Sequence, residues 1–182
     1  PMNKRKEING YNVEERSEHN SIGGSRGSMI LTRNDLKDIV EIEEVKDRFR
    51  FDEIIGIEIL SSEKRPSLKI FLYYNPPMTS PNDAIISYVG SMRGNCLLNG
   101  DLNCKHTFWG STRTDARGIE LMQSLVSNNL VIFNNNSMTH CDPTTGKEES
   151  LDLMIGNAQS AQILKEFKEI FSDFWHCSAI SQ

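Results

Sequence analysis

The side chains best suited to chemistry lie in one stretch, Gly100-Asp101-Leu102-Asn103-Cys104-Lys105-His106-Thr107-Phe108-Trp109-Gly110-Ser111. An acid and an amide two residues apart follow a glycine, and a histidine and a tryptophan come soon after. In an extended segment residues i and i+2 face the same side, so the spacing predicts Asp101 and Asn103 aimed at one point. A carboxylate placed there can orient water, take its proton or bind a metal, and an amide can donate to an anionic oxygen. That is the equipment of a hydrolase. The alternative for the same residues is an ordinary polar turn. A second acid, Asp152, sits inside Leu151-Asp152-Leu153-Met154-Ile155. A carboxylate in an apolar run is costly to bury unless it is paired. It is therefore expected either on the exposed side of an edge strand or beside a histidine that it orients, and His176 is the candidate. Phe108 and Trp109 offer faces for stacking on a base, or for core packing.

These residues need a scaffold. Leu97-Leu98 reads as a buried strand that breaks at Gly100, which is how open α/β sheets deliver site residues at the carboxyl ends of their strands. Upstream, Gly10–Val13 predicts a short strand and Glu14–Asn20 a loop. Ile22–Gly27 predicts a flexible turn, since no Gly-Lys-Ser/Thr follows to make it a phosphate loop. Strands are expected at Ser28–Thr32, at Ile39–Ile42, at Ile54–Ile59 and at Leu68–Leu72, the last stopped by Asn75-Pro76-Pro77. Asn82 predicts the cap of a helix carrying Ala84, Ile85, Tyr88 and Val89. Downstream, Asp115 predicts another cap, ahead of a stripe of Ile119, Met122, Leu125 and Val126, with Asn128-Asn129 as its left-handed end. Leu130–Phe133 predicts a strand and Thr139–Ser150 a polar loop. Leu151–Ile155 predicts a strand, Ile163, Phe167 and Ile170 the inner face of a helix, and Phe174–Ile180 a last strand. Runs of strands mixed with helices predict an α/β or α+β layered sandwich in one domain spanning 1–182.

The totals agree with that reading. The chain has 182 residues, 37% hydrophobic and 25% charged, with a formal net charge of -5. That is the composition of a globular enzyme-sized domain. A protein that coats nucleic acid along a large surface would be basic, whereas an enzyme gripping a few phosphates needs only a local patch. No apolar run approaches a membrane span, and the first residues carry no signal-peptide core. The four scattered cysteines predict a reducing, intracellular setting rather than a disulfide framework. Cys104-x-His106, His140-Cys141 and His176-Cys177 lack the CxxC-like pairs of structural zinc sites, and no zinc is expected.

The run from Gly100 to Ser111, followed by Asp115-Ala116-Arg117-Gly118, resembles the central motif of the endonuclease domain of non-LTR retrotransposons. That domain is a member of the endonuclease/exonuclease/phosphatase superfamily. Asn129–Asn134, Thr139-His140 and Ser150-Leu151-Asp152-Leu153 resemble it in order and spacing, as do Gly10–Val13, Gly23–Leu31 and Tyr74-Asn75-Pro76-Pro77. The resemblance covers nearly the whole chain. It implies two mixed β-sheets flanked by helices and metal-dependent hydrolysis of phosphodiesters, nicking DNA. It implies that Asp101 orients or deprotonates the attacking water, that Asn103 holds phosphate or water, and that Tyr74 donates to the phosphate. His176 would contact the phosphate, oriented by Asp152. His106, Trp109 and Arg117 fall on the substrate side. Mg²⁺, a DNA partner, a reverse transcriptase domain downstream, a nuclear location and a monomer are implied with it.

The departures carry expectations of their own. Family members open with one strand ending in an asparagine and another ending in a metal-binding glutamate, both ahead of the Gly-Tyr segment near which this chain begins. The resemblance thus implies an N-terminally truncated domain whose first strands are missing. Family members close with Ser-Asp-His, whereas this chain has Ser172-Asp173-Phe174-Trp175-His176. Either Trp175 replaces the aspartate, or two inserted residues move Asp173, the one metal ligand left to expect, by about 6–7 Å along a strand. Metal–oxygen bonds span only about 2.0–2.1 Å. The expectation is an impaired endonuclease. The alternatives are a phosphatase acting on small phosphoesters, or a noncatalytic remnant that binds nucleic acid or protein.

Overall fold

The structure is a computed structural model that describes residues 8–20, 24–63, 65–136, 138–142 and 144–164. In chain order the elements are β1 (Tyr11–Asn20), β2 (Gly24–Arg33), β3 (Ile39–Glu41), α1 (Glu43–Arg48), β4 (Glu53–Ile59), β5 (Leu68–Tyr74), α2 (Asp83–Gly90) and β6 (Asn95–Asp101). A 3-10 turn (Thr107–Trp109), α3 (Ala116–Ser127), β7 (Leu130–Ile132), β8 (His140–Cys141), β9 (Glu148–Glu149) and β10 (Asp152–Asn157) follow. The chain is of the α/β class and divides into two compact units, Pro1–Tyr74 and Asn75–Gln182.

The first unit is built from antiparallel pairs. β1 and β2 pair along their whole lengths, from Tyr11 opposite Arg33 to Asn20 opposite Gly24. The loop expected over Glu14–Asn20 is therefore strand. Its composition is polar, but a ten-residue ladder satisfies the backbone whatever the side chains, and strand preference follows context more than residue type. Alternation along β2 buries Ser28 and Thr32 and exposes Met29 and Leu31. β3, β4 and β5 pair in sequence, with Ile39 opposite Ile59 and Glu53 opposite Tyr74. The β1–β2 hairpin lies against β4 and β5, which makes two β layers. Ile54, Ile55, Ile57, Phe71 and Tyr73 fill this core. Gly56 is needed there, because a Cβ would stand 2.8 Å from the Phe71 ring. The short helix α1 was not foreshadowed by periodicity; Val45 alone is buried from it.

The second unit centres on β10, which pairs antiparallel with β6 on one side and β7 on the other. β10 is thus not an edge strand, and that option for Asp152 is overturned. Cys96, Leu97 and Leu98 of β6 and Leu153, Met154 and Ile155 of β10 are buried. Helix α2 begins where expected, with Asn82 Oδ1 accepting from Ala84 N–H at 3.0 Å. It buries Ile85, Ile86, Tyr88 and Val89, while Ala84 faces outward. Helix α3 begins at the Asp115 cap and ends at Asn129, which takes φ +54°. Its buried face is Gly118, Leu121 and Leu125, and Ile119 and Val126 are exposed. The predicted stripe was rotated, because the face is set by close approach at Gly118 rather than by the most apolar side chains. Thr139–Ser150, expected as a loop, contains the small hairpin β8–β9. The helical face at Phe167 and Ile170 and the last strand lie outside the described residues.

Candidate active site

Asp101 is the last residue of β6, and Asp152 is the first of β10, directly opposite it. One step further on, Leu102 N–H donates to Leu151 carbonyl at 3.1 Å. The backbone groups of the two acids point the other way. Asp101 carbonyl accepts from Asn75 N–H at 2.9 Å. Asp152 N–H donates to Thr139 Oγ1 at 3.0 Å, and its carbonyl accepts from Asn134 Nδ2 at 2.9 Å. Asp101 and Asp152 therefore form a narrow, non-hydrogen-bonded pair, with Cα atoms about 4.5 Å apart. Two carboxylates at that spacing repel each other. Burial pushes the Asp101 carboxyl above its ordinary value, the Asn103 N–H works against that, and the Asp152 charge adds to the rise. Burial likewise raises Asp152, opposed by the Thr139 hydroxyl and the charge of His140.

Asn103 reaches the site by a turn and not along a strand. Its backbone is left-handed, at φ +50°. Its N–H donates to Asp101 Oδ1 at 2.9 Å, the Asx turn for which Asn and Asp are favoured. The extended spacing argument is corrected here, although the two side chains do share one turn. Asn103 Nδ2 donates to Asn75 carbonyl at 3.0 Å. Asn75 is itself buried, and its Nδ2 donates to Thr79 carbonyl at 2.7 Å and Leu102 carbonyl at 3.1 Å. One N–H of the Asn103 amide is thus spent on orientation, and an amide nitrogen carries two.

The remaining predicted residues are placed as follows. His106 caps the 3-10 turn, its Nδ1 accepting from Phe108 N–H at 3.0 Å, which leaves the proton of the neutral ring on Nε2. Its ring lies 4.9 Å from that of Trp109. Trp109 is 0% exposed and donates its indole N–H to Cys104 carbonyl at 3.2 Å. An indole wholly covered by protein does not stack on substrate, so Trp109 is corrected from a substrate contact to the pillar of this loop. Arg117 donates to Asp115 Oδ2 at 3.1 Å from the first turn of α3. Tyr74 ends β5 in the first unit, opposite Glu53. His176 and Asp173 lie outside the described residues.

Several site residues carried no legible signal. Glu149 is buried beside exposed Glu148, and nothing in Glu148-Glu149 tells the two apart. Its carboxylate accepts from Lys105 Nζ at 2.9 Å, Thr112 N–H at 3.0 Å and Thr112 Oγ1 at 2.8 Å. Burial alone would raise it, but the hydrogen bonds from Lys105 and Thr112 win and hold it below the usual carboxylate range. Asn134, read as a turn former, bridges β10 by donating to Asp152 carbonyl and accepting from Met154 N–H at 2.9 Å. Among the described residues no three His, Cys, Asp or Glu side chains converge to hold a metal. The described part of the site therefore does not supply a metal ligand set by itself.

The family model described as Endonuclease-reverse transcriptase matches residues 68–178. No curated protein matches the chain. Among solved structures, the chain is similar to the endonuclease domain of TRAS1, a telomere-specific non-LTR retrotransposon. That match has 20% identity and a TM-score of 0.66, and it covers 85% of this chain and 70% of that one. An AP endonuclease from Archaeoglobus fulgidus matches with 16% identity and a TM-score of 0.55, over 84% of this chain and 69% of that one.

Proposed function

Because the chain belongs to the Endonuclease-reverse transcriptase family, within the endonuclease/exonuclease/phosphatase superfamily, we propose that it hydrolyses phosphodiester bonds in DNA. The observation that carries this reading is the narrow Asp101–Asp152 pair with Asn103 turned in beside it. An acid raised above its ordinary value by burial is a better proton acceptor than an ordinary carboxylate. Asp101 takes the proton of an attacking water, and the Asn103 amide, turned in beside the Asp101 carboxylate, donates to a phosphate oxygen as charge builds there. The Asp152 charge beside Asp101 adds to that rise. His106, Arg117 and His176 are further contacts to the phosphate backbone, carried over by family resemblance.

Divalent-metal use, general among endonucleases of this superfamily, comes to this chain as a dependence and not as a step assigned to residues. The rate is reduced in this chain, since Trp175 stands immediately before His176 where the family pattern has an aspartate. A nuclear setting and a reverse transcriptase partner belong to the same proposal.

A plasmid-nicking assay with Mg²⁺ tests the reading. Nicking that disappears in Asp101→Ala and rises at least about tenfold, a difference of 1.4 kcal/mol, in Trp175→Asp supports it. Nicking by neither the chain nor Trp175→Asp would remove the nuclease reading.

A further inference from the structure

Asn75 bonds each of the three residues that carry the chain out of β6 into the site. Its backbone N–H donates to Asp101 carbonyl at 2.9 Å, and its side-chain Nδ2 donates to Leu102 carbonyl at 3.1 Å. Its own carbonyl accepts from Asn103 Nδ2 at 3.0 Å. Asn75 Nδ2 also donates to Thr79 carbonyl at 2.7 Å, which fastens the turn 76–79 to the same loop. Pro76 and Pro77 open that turn, each with φ fixed by its ring, so the anchor is stiff. Asn75 is 2% exposed, and an amide so far from solvent spends its donors inside the protein. Cys104 Sγ donates to Leu102 carbonyl as well, at 3.1 Å, but a thiol is a weak donor. The direction of the Leu102 carbonyl fixes the peptide plane between Leu102 and Asn103. Asn103 leaves that plane at φ +50°, a region that residues other than glycine keep where surrounding bonds over-determine it.

We propose that Asn75 is a positioning residue of this site, which holds Asn103 in its left-handed turn and so presents the Asn103 amide to the phosphate oxygen. The proposal rests on the phosphodiesterase reading. Asn75 itself touches no substrate and acts through Asn103. An amide that stabilises charge building on an oxygen works only when it is held where that charge appears. A misplacement of about 1 Å can cost about 100-fold in rate. Loss of the Asn75 side chain lets the Leu102 carbonyl swing and the peptide plane turn, which displaces Asn103 without removing it. The cost therefore falls on the chemical step and not on the binding of DNA.

The test is a double-mutant cycle in nicking kinetics, built on the wild-type chain or Trp175→Asp, whichever nicks faster. Asn75→Ala is expected to lose about 30- to 100-fold in kcat, with KM within about threefold. Asn103→Ala loses at least as much. The double variant falls no more than about threefold below Asn103→Ala, since Asn75 then has nothing left to position. Ser160→Ala controls for plain destabilisation. Ser160 is fully buried and donates to Cys96 carbonyl at 2.7 Å, at the other end of β6. That variant should keep kcat within about twofold. Losses that multiply in the double variant, a change in KM alone, an unchanged kcat in Asn75→Ala, or an equal loss in Ser160→Ala each overturns the assignment and leaves the nuclease reading standing. Hydrogen exchange in the wild-type chain reads the anchor with no variant and no activity. The Asn75 side-chain amide should exchange more than about tenfold slower than an amide exposed to water, and exchange at the exposed rate overturns the assignment. Nicking by neither wild type nor Trp175→Asp removes the nuclease reading and the assignment together.

Discussion

Asp101 and Asp152 hold two carboxylates side by side in a partly buried place, and each is raised above its ordinary value by burial. Groups whose folded pKa is raised bind protons in the native state at a pH where the unfolded chain has released them. Their stabilising contribution is full below the ordinary carboxylate range and is lost as pH rises through the raised values. At neutral pH the pair is therefore a cost to the fold. Asp152→Asn is expected to melt at a higher temperature than wild type at pH 7, with the gap closing as pH falls toward about 4. The same variant removes the charge that helps raise Asp101. The acid limb of the nicking rate then shifts to lower pH, which a pH–rate profile reads directly. Glu149 runs the other way. Its folded pKa is lowered, so its stabilisation is present above the ordinary glutamate value and is lost as pH falls through the lowered one. Glu149→Leu strands Lys105 Nζ and the two Thr112 donors, at a cost of about 2–3 kcal/mol at pH 7. Denaturant titration should show that deficit shrinking at pH 3.

At the scale of elements, the site depends on how tightly α3 presses on the loop that leaves β6. Asp115 caps α3 through Gly118 N–H at 2.8 Å and also accepts from Lys105 N–H at 3.4 Å. A Cβ on Gly118 would stand 2.0 Å from Lys105 carbonyl. Gly→Ala inside an exposed helix stabilises by about 1 kcal/mol. Here the sign reverses, because backbone must move to make room. Gly118→Ala is expected to lose about 3 kcal/mol, at the upper end of ordinary overpacking. It should also lower nicking, since the displaced segment lies two residues from Asn103. A stability equal to or above wild type in urea would refute the tight packing. Gly110 works similarly at φ +97°, with Asn136 backbone 2.9 Å from where its Cβ would be. Thr139 and Asn134 pin β10 from the side away from β6, which leaves the Asp pair as the one narrow rung at this strand end.

For the whole molecule, the net charge of -5 limits how DNA can be held. Each phosphate neutralised contributes about -0.9 to the slope of log K against log salt. An acidic chain that grips only a few phosphates should neutralise two to four, a slope of about -2 to -4. A slope near -8, measured by anisotropy on a short duplex, would require an extended basic face that the composition does not provide. Removing divalent cations with EDTA should stop nicking, and restoring Mg²⁺ should bring it back. Among the described residues no metal centre staples the fold, so the melting temperature of the described core should hardly move in EDTA.

Residue types and order alone identified the family, because Asp101-Leu102-Asn103 and Trp109-Gly110-Ser111 lie within one short stretch where chain separation is small and local chemistry dictates the turn. The strands at Ile54–Ile59 and Leu68–Tyr74 and the caps at Asn82 and Asp115 were legible for the same reason: alternation and capping are written in near neighbours. What the tertiary structure alone decided is everything that needs two distant segments to meet. It turned Glu14–Asn20 into strand through pairing with β2, rotated the buried face of α3 onto Gly118, and chose Glu149 over Glu148 for burial. Trp109 became core because the loop closes over it. Above all, Asp152 came to face Asp101. A run such as Leu151–Ile155 shows that an acid lies in a strand, but which side chain it faces is set by register across a partner about fifty residues away.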